Sequence, residues 1–161
     1  MWRPALALVL LVATGARLQG QSPPSAPTAI PLVGDWVLNL GRTHYGPGVD
    51  RRRSEHMLCS VEKEDVRCVI HSVRADGRQL TAQFTATVGG VPAPVTGISD
   101  IDQVQLRRPS ATLVDATFLL RGQPVFGYRA FQSDDGRSLS IVAVDPVTRV
   151  VGTTIVVYDR R

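Results

Sequence analysis

The sequence predicts an all-β fold: one closed or nearly closed antiparallel up-and-down barrel of 8–10 strands, with no substantial helix in the mature domain. Three observations carry this expectation. Ten short segments alternate apolar and polar residues, the period of a half-buried strand. Turn chemistry, mostly Gly, Asp or Pro, punctuates them. The first segment opens with Gly34-Asp35-Trp36, a Gly-x-Trp of the kind small barrels use to plug one end with an indole. Short connections make successive segments antiparallel neighbours, and ten in a row must curl and close or leave edges exposed.

Two segments precede that fold. Residues 1–20 read as a signal peptide: Met1-Trp2-Arg3 gives a short positive start, and an apolar run of nine follows from Ala5 to Ala13. That run is about half of the ~20 residues needed to span a bilayer, so stable membrane insertion is not expected. The chain is read as exported, periplasmic or extracellular, and soluble after cleavage. Residues 21–32 (QSPPSAPTAIPL) form a Pro-rich flexible spacer. The barrel domain is assigned to residues 33–161.

The strands are taken in order. Segment 36–40 follows Gly34 and ends at a long loop, 41–50, holding His44, Tyr45 and Gly46-Pro47-Gly48. A loop of that length is either a lid or contact loop at the barrel mouth or a cover for its end. Segments 54–61 and 66–74 meet at Glu62-Lys63-Glu64-Asp65. Symmetric pairing there sets Met57 opposite Ile70, Cys59 opposite Cys68 and Val61 opposite Val66, all on one face. Ala75-Asp76-Gly77 leads into segment 79–88 as a three-residue loop, placing Cys68 opposite Phe84, Ile70 opposite Ala82 and Ser72 opposite Leu80. Gly89-Gly90 then pairs Ala86 with Ala93 and Phe84 with Val95, in segment 91–95. Three turns agree on one apolar inside. Segments 103–107, 111–120, 125–132 and 139–144 follow, divided by turns such as Gly122-Gln123 and Asp135-Gly136. After Asp145-Pro146, segment 150–158 alternates Val151, Thr153, Ile155 and Val157 against Gly152, Thr154, Val156 and Tyr158.

The only two cysteines, Cys59 and Cys68, stand opposite each other in an exported chain and are read as a disulfide; the alternative is two reduced, inward-facing thiols. The same register sets His56 opposite His71 on the outer face. Two imidazoles fall short of the three or four ligands of a dedicated metal site, so no metal is assigned. Asp115 lies mid-strand, on a face that is either exposed or carries one polar anchor; exposure is the expectation, with Arg129 as a candidate counter-ion. No nucleophile elbow, HExxH or Gly-rich phosphate loop is present. No catalytic constellation and no cofactor are implied. Seventeen of the eighteen basic residues are Arg, and Lys63 is the exception. Losing residues 1–20 removes Arg3 and Arg17 and no acid, lowering the formal charge from +4 to +2. With only 6% aromatic residues and scattered arginines, nucleic-acid binding is not indicated.

Gly34-Asp35-Trp36-Val37-Leu38-Asn39, Val95-Thr96-Gly97, Ser133-Asp134-Asp135-Gly136 and the Tyr158–Arg160 end occur in an order that resembles the lipocalin-like, calycin type of barrel, in particular small exported bacterial proteins of unassigned function. The resemblance implies that Trp36 packs beneath Arg160, with Arg161 as substitute, joining the first strand to the last. It also implies a secreted, non-catalytic binding protein holding a small apolar or amphipathic ligand. The candidate lining is Leu38, Met57, Ile70, Phe84, Val104 and Phe118, residues that would equally fill a sealed core. The alternative is a protein–protein module, such as an inhibitor of an exported hydrolase that inserts the spacer.

Overall fold

A computed structural model describes residues 29–161. The signal peptide expected at residues 1–20 and the first part of the spacer lie outside the described residues. Ten antiparallel strands close into one barrel: β1 (Gly34–Leu38), β2 (Arg52–Glu62), β3 (Asp65–Arg74), β4 (Gln79–Thr87), β5 (Ala93–Thr96), β6 (Gln103–Ser110), β7 (Leu113–Leu120), β8 (Gln123–Gln132), β9 (Ser138–Val144) and β10 (Val151–Arg160). Each strand pairs with its sequence neighbours and β1 pairs with β10, so no edge is left over. No helix among the described residues is long and apolar enough to cross a membrane.

Alternation explains most of the registers. The β2–β3 ladder sets Met57 against Ile70, Cys59 against Cys68 and Val61 against Val66. The β3–β4 ladder sets Cys68 against Phe84 and Ile70 against Ala82. Cys59 and Cys68 are joined in a disulfide inside the barrel. The expected Ala86–Ala93 pair is not formed. β5 holds β4 only at Gln83–Thr96 and Phe84–Val95. Below it β4 runs directly against β6, where Val88 bridges Leu106 and the Gly89 amide donates to the Leu106 carbonyl at 2.8 Å. The diglycine turn thus lifts the chain away from the sheet after β4.

One end of the barrel is sealed from the residues upward. Trp36 is fully buried, and its indole N–H donates to the Leu32 carbonyl at 2.9 Å. The glycine of Gly-x-Trp is required by that packing, because a Cβ on Gly34 would sit 2.8 Å from the indole Cε2. Arg160, the cross-strand partner of Trp36, lays its guanidinium 4.4 Å from the ring centroid. Its Nε donates to the Gly136 carbonyl at 2.7 Å, in the Ser133–Gly136 turn. Because Arg160 is exposed, the cation–π contact contributes only about 0.5–1 kcal/mol. The spacer differs from expectation at its end: Pro31 and Leu32 are buried in the core, so the packed unit begins near Ile30.

The second glycine that the fold demands is Gly97, which ends the Val95-Thr96-Gly97 run at φ +86°. A Cβ there would lie 1.7 Å from the Thr81 carbonyl oxygen of β4.

Candidate functional site

The interior is not completely filled. A cavity of about 110 Å³ lies above Leu32. Its apolar wall includes Met57, Ile70, Phe84, Phe118, Phe126 and Val156. Met57, Ile70, Phe84 and Phe118 of the sequence-derived lining are therefore on it. Leu38 and Val104 are not: both are buried in the surrounding core. Phe118 and Phe126 stack at 4.9 Å, and the ring of Tyr128 meets each of them edge-on. A β-bulge between Phe118 and Leu119 sets Phe118 opposite Phe126 rather than Val125, so these aromatics share the inside.

The upper wall is polar. Glu55 faces inward and is 5% exposed. One carboxylate oxygen accepts from Arg52 Nη1 at 2.9 Å and from the Tyr158 hydroxyl; the other accepts from Ser72 Oγ. Arg52 also donates to the Tyr158 hydroxyl and, through Nη2, to the Tyr128 hydroxyl, each at 3.3 Å. Arg52 and Glu55 are three apart, so strict alternation would put them on opposite faces. A bulge between Arg52 and Ser54 brings both inside. Burial, reinforced by the nearby carboxylate, pushes the Tyr158 hydroxyl well above its ordinary range. Burial also raises Tyr128, against the opposing pull of Arg52. For Arg52, burial acts against the charge, but Tyr128, Glu55 and Tyr158 outweigh it and hold the guanidinium firmly protonated. The Tyr128 hydroxyl accepts from Arg52 and donates to no group among the described residues.

Arg52, Arg74, Tyr128, Phe126, Ile98 and Ile101 line both this cavity and a wider recess of about 430 Å³ at the open end. The two spaces therefore share this part of the polar layer as a common wall. Tyr45, Asp50 and Asp100 also line the recess, and Asp50 accepts from Arg74. The 41–50 loop is fastened on one side. His44 exchanges backbone hydrogen bonds with Ile155 at 2.7 and 2.8 Å, and the Gly46 amide donates to Thr154 Oγ1 at 3.0 Å. The Tyr45 hydroxyl is buried and has no hydrogen-bond partner among the described residues.

The other sequence candidates lie elsewhere. His56 faces His71 on the outer surface, as the register required, but each has its own partner. His56 Nε2 is 2.5 Å from Asp35 Oδ1, and His71 Nδ1 is 3.0 Å from Thr81 Oγ1. No cluster of three or more potential metal ligands occurs among the described residues. Asp115 is a correction: instead of lying open to solvent it is 5% exposed, on the outer face of β7. Arg129 grips both of its oxygens at 2.9 and 3.2 Å, and Arg149 approaches at 3.8 Å from the β9–β10 loop. Leu119, Val142 and Val144 are buried on that side too, outside the main core.

Sequence reasoning did not single out the polar layer of Arg52, Glu55, Ser72, Tyr128 and Tyr158. A signal for part of it was present. Glu55 shares parity with Met57 and Cys59, and Ser72 is its cross-strand partner, so the register that joined the cysteines placed both inside. Arg52 had no such signal, because only the bulge turns it inward. Chemically the layer is an ion pair of no net charge in which both carboxylate oxygens accept hydrogen bonds and some donors are left over. No family model, no curated protein and no solved structure matches the chain.

Proposed function

We propose that this chain is an exported, non-catalytic binding protein of lipocalin-like type that carries one small amphipathic molecule in its barrel. The observation that supports this reading is the cavity itself: an apolar pocket at the end sealed by Leu32 and Trp36, roofed by hydrogen-bonding groups and adjoining an open recess. The apolar part of a ligand would lie among Met57, Ile70, Phe84 and Phe118, with its polar end at the Arg52–Tyr128 level. Export is supported by the leader-like N-terminus and by the internal disulfide, a bond that persists in oxidising compartments.

Magnitudes favour an amphipathic guest over a purely apolar one. Each buried methylene contributes about 0.8 kcal/mol, so four in the cavity give roughly 3 kcal/mol, short of millimolar binding. A useful affinity needs the polar groups and the recess as well. The test is native mass spectrometry of protein isolated gently from its host, before and after solvent extraction. The expected result is a mass increment that extraction removes. An increment-free protein that is also not thermally stabilised by any member of a panel of short amphipathic compounds would overturn the proposal.

A further inference from the structure

We propose that the barrel selects a neutral ligand whose polar end is a hydrogen-bond acceptor, such as a ketone, aldehyde, ester or amide carbonyl, and discriminates against both carboxylates and amines. This rests on the carrier reading and adds the chemical class of the guest.

Charge comes first. The ionisable side chains lining the cavity and recess, apart from the tyrosines, are Arg52, Glu55, Arg74, Asp50 and Asp100. Two are cationic and three are anionic. Arg52 is matched by Glu55 at 2.9 Å, and Arg74 donates to Asp50. A carboxylate reaching for the remaining Arg52 donors would come to rest beside the Glu55 carboxylate, in a poorly hydrated space where like charges repel strongly. The lumen therefore offers an anion no unmatched positive charge.

Hydrogen-bonding capacity gives the second half. Both Glu55 oxygens are occupied, by Arg52, Tyr158 and Ser72. The Tyr158 proton goes to Glu55, and the Ser72 proton does too. Left over among the described residues are the Tyr128 O–H, the N–H groups of Arg52 beyond its three bonds and, in the recess, the Tyr45 hydroxyl. Tyr128 and Arg52 each line both cavity and recess. Both residues are half-buried, and a ligand carbonyl placed there gives these donors an acceptor where contact with water is restricted. An ammonium group would bring more donors to a place already rich in them, next to a guanidinium.

The test uses three probes of matched length, heptan-2-one, heptanoate and heptylammonium, titrated into the full chain at pH 7 and followed by ligand-observed NMR. The ketone is expected to bind about tenfold more tightly than either ion. Tyr128→Phe is expected to weaken the ketone about fivefold, the scale of one neutral hydrogen bond. Glu55→Gln keeps an acceptor but removes the negative charge, so heptanoate should gain about tenfold over its affinity for the unaltered protein. Heptanoate or heptylammonium binding as tightly as the ketone, or a ketone affinity untouched by Tyr128→Phe, would overturn the inference while leaving carriage intact. If none of the three binds, carriage of short amphipaths fails, and the selectivity falls with it.

Discussion

Replacing Glu55 by methionine tests whether the polar layer is one connected unit. The side chains are close in volume, so the change removes charge and acceptors without opening a large void. In the native barrel this carboxylate accepts from Arg52, Ser72 and Tyr158, and is itself 5% exposed. A thioether in its place would leave two neutral hydroxyl donors and part of a guanidinium without acceptors. A stranded neutral donor costs about 1–2 kcal/mol, and breaking a buried ion pair by removing one partner costs about 3–5 kcal/mol. The Arg52 side chain is 21% exposed and keeps its contacts to Tyr128 and Tyr158, which places the loss toward the low end, about 3 kcal/mol. Glu55→Met with Arg52→Met leaves no uncompensated charge, so the double variant should be about 2 kcal/mol better than the sum of the singles. Equilibrium urea unfolding, read by the fluorescence of buried Trp36, measures both quantities. A loss below about 1 kcal/mol for Glu55→Met, or simple additivity in the double variant, would show that these side chains act independently and refute the reasoning.

Further expectations follow from the same structure. Gly97→Ala should lower stability by about 3 kcal/mol or more, because the new Cβ meets the Thr81 carbonyl; Gly77→Ala, at φ +89° in open space, should cost about 1 kcal/mol. Thermal unfolding of the two variants separates backbone conformation from close approach. Replacing Cys59 and Cys68 together by Ala should cost about 2.5 kcal/mol by loss of loop-closure constraint, measured by urea unfolding. Burial holds the Tyr158 and Tyr128 hydroxyls above their ordinary value near 10, so each favours the fold below that pH. As pH rises past about 10 the unfolded chain ionises these groups first, and stability falls. Tyrosinate absorbance for this pair should therefore appear together with loss of the folded far-ultraviolet signal; full ionisation within an intact barrel would contradict the burial argument. Arg160→Met should cost less than about 1 kcal/mol, since the guanidinium over Trp36 is exposed, and denaturant unfolding would expose a larger role if there were one.

Much of the architecture follows from two local rules, and its exceptions mark the places where those rules break. Period-two alternation and turn residues located all ten strands, and the β2–β3–β4 registers followed from hairpin symmetry alone. Both rules act over a few residues and need no knowledge of the remainder of the chain. Asp115 escaped them because the groups around it come from other elements: Arg129 across the β7–β8 ladder, and Arg149 from a loop 34 residues further on. Pro31 and Leu32 escaped because a Pro-rich composition describes how a peptide behaves alone, while here the barrel end supplies a hydrophobic seat and a partner for the Leu32 carbonyl. Ala86 and Ala93 failed to pair because nothing local announces that β4 will leave β5 for β6.

The polar layer combines both kinds of difficulty. Alternation did point Glu55 inward, but a carboxylate in an apolar lumen is tolerable only when paired, and its partners arrive from a bulge at Arg52 and from Tyr158 at the far end of the chain. Such a layer is a poor way to hold a barrel together. Replacing a buried ion pair by well-packed apolar side chains is often neutral or stabilising, so folding alone would be served as well by leucines at these positions. The layer forms the wall shared by recess and cavity, and it leaves Tyr128 and Arg52 donors there without a partner among the described residues. An arrangement that apolar side chains could replace without loss of stability, yet that sets the hydrogen-bonding character of the wall between the two pockets, is in keeping with the proposed selectivity. That makes the Tyr128 hydroxyl, rather than any residue of the apolar wall, the group whose removal most directly probes the proposed selectivity.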